Sequence, residues 1–333
     1  MTRLVGRIAW LLPLVALSAS SPALAQKPVE QAKTVRLLTV GNSFSRDATT
    51  YLDELAKAAG DTLIHHQAAI GGGTLQQHCE KFQKHESDPT DPEGLYSTGK
   101  SLKDELTAEP WDFITIQQAS IKSHDVSTYR PFARELYDYI KKHAPNATVI
   151  VHQTWAYRRD DPRFFAIAPD PGEPSDQKAM YEGLSQAYRT IAGELGTGLI
   201  PVGDALYLAD ADPEWGYRVD TAFDFQNATH PNLPDQTHSL HVGWRWVPAA
   251  DGGHKLNMDG HHASAAGRYL GSCVFYDVLF GKSVVGNSFH PKEIEPDHAR
   301  FLQEIALRAA EGERERERKA AGVGPAVPVE AAP

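Results

Sequence analysis

Val35 to Ser45 reads VRLLTVGNSFS, and the fold turns on how this stretch is read. Six residues, Val35 to Val40, are rich in β-formers and nearly all apolar, as in a central strand buried on both faces. The run stops at Gly41-Asn42-Ser43, and apolar residues then recur at helical spacing at Leu52, Leu55, Ala56 and Ala59. A serine at such a junction has two readings. Its hydroxyl can cap the helix that follows, or it can stand as a nucleophile at the carboxyl end of a strand, where open parallel sheets place their ligands.

The same alternation continues along the chain. Strands are expected at 62–70, 112–116, 148–152 and 198–202, with helices at 49–59, 75–82, 101–106, 129–143, 178–195, 264–280 and 293–308. This rhythm predicts a three-layer α/β/α fold around a mostly parallel five-stranded sheet. Residues 204–257 break it. They hold Trp215, Trp244, Trp246 and the histidines His230, His238, His241 and His254, and read as an irregular aromatic- and His-rich insert. The main folded unit is expected over 34–290, a C-terminal helix over 291–319 and a disordered tail over 320–333.

Of the 333 residues, the first 25 read as a secretory leader: Arg3 and Arg7, an apolar run from Ile8 to Leu17, then Ala23-Leu24-Ala25 as a cleavage site. Export to the periplasm or medium is therefore expected. No later run approaches the ~18 consecutive apolar residues of a spanning helix. The net charge of -10, or -12 without the leader arginines, argues against nucleic acid as a partner. Two cysteines, Cys79 and Cys273, make no disulfide scaffold.

Three strand ends carry polar or glycine clusters: Gly41-Asn42-Ser43, Gly71-Gly72-Gly73-Thr74 and Gln117-Gln118-Ala119-Ser120. A fourth cluster, Asp259-Gly260-His261-His262, precedes a helix. Acyl transfer needs this set of parts. A serine hydroxyl needs a base within hydrogen-bond reach, the base needs a carboxylate to fix its tautomer, and the oxyanion needs preorganised N–H donors. Ser43 can supply the hydroxyl, His262 the base and Asp259 the carboxylate, with His261 the alternative base. The Ser43 and Gly72 amides and the Gln117 side chain can face the oxyanion, with Gln118 and Ser120 as alternatives. Asn42, His78, Trp155 and His261 are candidate substrate contacts.

These blocks resemble those of the SGNH/GDSL hydrolases. VGNSFS is similar to the block that carries the nucleophile, IGGGT to the block whose glycine donates to the oxyanion, and DGHHASAAGRYL to the terminal Asp-x-x-His block. The resemblance spans about Val35 to Leu279 and implies a flavodoxin-like sheet. It also implies Ser43, Asp259 and His262 as a triad, an ester as substrate, and no metal or organic cofactor. The third block departs: IQQAS stands where Gly-x-Asn is usual, as in a less characterised bacterial branch, and Gln117 replaces the asparagine donor. The expected activity is an exported serine esterase, acting on O-acetyl groups of a saccharide. Two other readings stay open. The altered block and the tryptophans suit a non-catalytic carbohydrate-binding protein, and the insert histidines suit a metal-dependent hydrolase.

Overall fold

The computed structural model describes residues 31–165, 173–250 and 252–322. The expected leader, and the expected tail beyond 322, lie outside the described residues.

Strand β1 (Thr34–Gly41) sits inside a five-stranded parallel sheet with β2 (Thr62–Ala69), β3 (Phe113–Ile116), β4 (Thr148–His152) and β5 (Gly198–Ile200). The order is β2-β1-β3-β4-β5. Val35, Leu37, Leu38 and Val40 are fully buried, as a strand covered on both faces requires. The chain leaves β1 towards β2 and then crosses back to β3. The connections out of β1 and β3 therefore diverge, opening a crevice at their carboxyl ends. Val40 pairs with both Ala68 and Ile116, so the turns after three strands lie side by side.

Right-handed crossovers sort the helices into two layers. Helices α3 (Leu75–Ser87), α4 (Leu102–Thr107), α5 (Phe132–His143) and α6 (Gln177–Leu195) pack in succession on one side. On the other lie α1 (Ser43–Ala48), α2 (Leu52–Ala58), α7 (Val202–Asp210), α8 (Ala265–Phe280) and α9 (Pro296–Ala320). Apolar nearly all round, α8 is buried between α1, α2 and α7 and the covering α9. Cys79 and Cys273 are buried free thiols.

Two expectations change. The helix expected over 49–59 runs only over Leu52–Ala58, and a separate short helix, α1, precedes it. Thr49 Oγ1 donates to Ser45 O (2.8 Å) and Thr50 Oγ1 to Arg46 O (2.9 Å), and such back-bonding by hydroxyls competes with helix continuation. The expected insert begins as helix α7, whose Ala205, Leu206 and Ala209 join the core. Its later part ends in an antiparallel hairpin, β6 (His241–Pro248) with β7 (His254–Ala263). The charged run at the end of α9 is not wholly solvated: Glu313 is buried and pairs with Arg189 of α6 at 2.7 Å.

Candidate active site

The turn after β1 is built by Asn42. Its Oδ1 accepts from Phe44 N (2.9 Å), making Asn42 the N-cap of α1 and leaving Ser43 as the first helical residue. Asn42 Nδ2 donates to Gly73 O (2.9 Å), which ties the Ser43 turn to the glycine loop. Gly72 in that loop has φ +63°, a left-handed conformation that costs glycine nothing. Gln117 at the end of β3 completes the crevice floor: its Oε1 accepts from Ser45 Oγ (2.5 Å) and its Nε2 donates to Asn42 Oδ1 (2.8 Å).

Ser43 is half-buried, and its Oγ lies 3.0 Å from His262 Nε2. His262 Nδ1 lies 3.2 and 3.1 Å from the Asp259 oxygens, and the His262 backbone N–H donates to Asp259 Oδ1 (3.1 Å). Hydroxyl, imidazole and carboxylate thus form one chain of hydrogen bonds across 219 residues of sequence. Burial pushes the Asp259 carboxyl up. The ring and backbone N–H of His262 and the charges of His261 and His262 outweigh that and hold it well below the usual carboxylate range.

Asp259, His261 and His262 lie on β7, not on a loop before a helix. Two devices aim that strand at Ser43. Asp47, one turn along α1, accepts from Ala263 N (3.0 Å) and pairs with Arg268 of α8 (3.0 Å). The connection after β4 holds the other side: Arg158 N donates to Gly260 O (2.8 Å), and Trp155 Nε1 to His261 O (2.9 Å). Trp155 also stacks on Phe44, ring centroids 4.4 Å apart. Asp47 and Arg158 carry no motif; their role comes from contacts between distant segments.

The structure revises several candidate contacts. Gln117 spends its amide hydrogens on Asn42 Oδ1 and Gln118 O, so its side chain does not offer an oxyanion a donor. Gln118 is also committed, accepting from Leu75 N and Ala119 N and donating to Thr128. Ser120 Oγ pairs with the Tyr157 hydroxyl at 3.0 Å. Asn42 is buried, with Oδ1 accepting from Phe44 N and Gln117 Nε2 and Nδ2 donating to Gly73 O, and these bonds build the turn. His78 is fully buried between Tyr96 Oη (2.8 Å) and Gly41 O (3.1 Å), and burial pushes it down to about 4. Trp155 is buried beneath Phe44 and His261. The Ser43 amide lies in the first turn of α1, where a helix offers its N–H no internal acceptor. His261 is partly exposed beside His262, their rings 4.2 Å apart.

The insert residues fall into separate groups. Trp215 meets His238 and stacks on His298 of α9, His230 stacks on His254 and meets Trp246, and buried His241 bonds Ala156 O. Asp251 lies outside the described residues. Among those described, the side chains whose ligand atoms fall within 4.8 Å of one another are Asp259, His261 and His262. No described helix is long and apolar enough to cross a membrane.

The close packing of the turn gives a test. A Cβ on Gly41 would stand 2.5 Å from Ser45 Oγ and 2.8 Å from Gln117 Cγ, both held by their mutual hydrogen bond. Gly41→Ala is expected to cost about 2–3 kcal/mol of stability, read as a lower urea midpoint at unchanged slope.

Residues 36–212 match the domain of unknown function DUF4886, over half of the chain. The chain belongs to the DUF4886 family. The matched segment holds Ser43, Gly72 and Gln117 and stops before the hairpin that carries Asp259 and His262. A solved DUF4886 family protein from Bacteroides uniformis is 26% identical, covering 83% of this chain and 94% of that one, with a TM-score of 0.62. A protein from Slackia heliotrinireducens, provisionally described as an SGNH hydrolase, is 20% identical over 73% of this chain and 98% of that one, with a TM-score of 0.43. No curated protein matches. In this DUF4886 chain the five-stranded parallel sheet lies between two helical layers, the three-layer α/β/α arrangement the sequence predicts.

Proposed function

We propose that this protein is an exported serine esterase that removes O-acetyl groups from a saccharide. The observation that carries the reading is Ser43 Oγ at 3.0 Å from His262 Nε2, with Asp259 behind Nδ1. Ser43 Oγ attacks the ester carbonyl carbon while its proton passes to His262 Nε2. Asp259, ionised, stabilises the imidazolium. The oxyanion faces the Ser43 amide at the start of α1 and the Gly72 amide of the glycine loop after β2. The intermediate collapses as His262 protonates the departing alkoxide, leaving an acyl-Ser43. Water, deprotonated by His262, releases the acid and restores the serine. Every proton and electron pair is accounted for by this chain and water, so no cofactor enters.

A half-exposed serine, with Arg163 beside His261 and Arg245 beside Asp259, suits a short acyl group and a polar alcohol. The export part rests on the leader motif at 1–25. The hydrolase unit is taken as 34–290, with the insert from about 204 to 257 and the C-terminal helix over 291–319. One observation favours the non-catalytic reading: the amides of the third block are consumed inside the protein. A fluorophosphonate probe separates the readings. A label on the peptide Leu37–Arg46, competed by p-nitrophenyl acetate and unaffected by chelators, is expected. Absence of label with retained saccharide binding would make the protein a binding module, and turnover lost to chelation would make it a metal enzyme.

A further inference from the structure

Two arginines flank the histidine side of the site, and the acyl-transfer chemistry does not use them. Arg163 follows β4 by a short connection. Asp161 holds its guanidinium by two hydrogen bonds, Nε to Oδ1 (3.0 Å) and Nη2 to Oδ2 (2.9 Å). It lies over the Tyr157 ring, 3.8 Å from the centroid. Nη2 also lies 3.1 Å from His261 Nδ1, the nitrogen that stands 3.2 Å from Asp259 Oδ1. Nη1 makes no hydrogen bond among the described residues, and the side chain is 42% exposed. Arg245 comes from the other direction, on β6. Its single described polar contact is Asp259 Oδ2 at 3.7 Å, and its side chain is 55% exposed. Across the hairpin Arg245 pairs with Asn257 and Gly243 with Asp259, so the alternation of strand side chains puts Arg245 on the face that carries Asp259.

Resting on the esterase reading, we propose that Arg163 and Arg245 select a substrate whose alcohol part carries an anionic oxygen group, as in an acetylated acidic saccharide. The direction follows from the chemistry. The leaving oxygen must sit at His262 Nε2 to be protonated, while the carbonyl oxygen turns to the start of α1. Groups beside His261 and Asp259 therefore border the alcohol, not the acyl group. Guanidinium donors with open positions at that border match a carboxylate, sulfate or phosphate. Arg163 is the better organised of the two, because Asp161 and Tyr157 fix its plane. Each arginine is partly neutralised by its own carboxylate, so the preference is moderate and weakened by salt.

The test uses the full chain with two matched esters, mono-O-acetyl glucose and mono-O-acetyl glucuronate. The wild type is expected to prefer the glucuronate by about 5- to 10-fold in kcat/KM, mainly through KM, and to lose most of that preference in high salt. Arg245→Gln and Arg163→Gln are each expected to cut the preference about 3- to 5-fold, and Arg245→Lys to recover part of it. Glucuronate and glucose 6-phosphate as inhibitors of p-nitrophenyl acetate hydrolysis, set against glucose, tell a carboxylate from a phosphate. Should Arg163→Gln fail to fold, Arg245→Gln still decides, since it breaks no described hydrogen bond. Equal use of both esters by the wild type, or a preference unchanged in Arg245→Gln, overturns the proposal. A merely structural arginine would lower both activities together and leave the ratio alone, which also overturns it. No turnover of either ester or of p-nitrophenyl acetate overturns the esterase reading, and this proposal with it.

Discussion

Alanine at position 43 is expected to lower ester turnover by about 10,000-fold or more, with a melting temperature within about 2 °C of the parent. Both halves follow from the same geometry. The described partner of Ser43 Oγ is His262 Nε2, so the substitution removes the attacking atom and one half-exposed hydrogen bond. It does not remove the helix cap, because Asn42 accepts from Phe44 N and holds the first turn of α1. Alanine is itself a good residue inside a helix. A serine that served as the cap would give the reverse: little change in rate and a loss of about 1 kcal/mol. Rates on p-nitrophenyl acetate and thermal melts of the two proteins separate these outcomes. Full turnover in Ser43→Ala would sink the nucleophile assignment, whatever the melts show.

Asp259→Asn is expected to lower kcat by about 1,000- to 10,000-fold while the chain stays folded. Asparagine keeps the shape of the side chain and can still accept from the His262 backbone N–H. Its amide nitrogen, however, can donate to Nδ1, which moves the ring hydrogen to Nε2 and aims it at Ser43. A base that presents a hydrogen cannot take one. The pH sign agrees with an ionised role. Burial opposes the charge on Asp259, but the hydrogen bonds and charges of the two histidines hold its carboxyl below the ordinary range. A depressed carboxyl stays charged below the ordinary value of about 4, and its contribution to stability, full above that value, is lost as pH falls from there through the folded one. Protonation of Asp259 therefore does not shape activity near neutral pH. Measuring kcat for Asp259→Asn against the parent, with a melt to confirm folding, decides the matter. A loss under about 10-fold would remove the carboxylate from the mechanism.

Where sequence and structure part, the cause is the reach of the interaction. The helix expected over 49–59 begins only at Leu52, because Thr49 and Thr50 turn their hydroxyls onto the carbonyls of α1, a competition that apolar spacing alone does not register. Gln117 reads as a free donor until its neighbours are known: it meets Ser45 across 72 residues and Asn42 across 75, and both bonds consume it. His78 and Trp155 have the chemistry of substrate contacts, yet they lie under the site, against Gly41 and Phe44. The same holds for Arg163 and Arg245, ordinary surface residues in the sequence until the hairpin and the β4 connection bring them to one rim.

Short-range physics wrote the parallel sheet into the chain. A buried apolar run such as Val35 to Val40 needs cover on both faces, turn residues end it, and helical spacing follows, all within windows of about ten residues. The polar blocks at the strand ends belong to the same local record. Which of their groups stay free was settled only by folding. Buried polar atoms must find partners, and those partners lie on segments tens to hundreds of residues away. Pairing of β6 with β7, the hold of Asp47 on Ala263, and the approach of His262 to Ser43 all depend on that long-range satisfaction, to which no local pattern is sensitive.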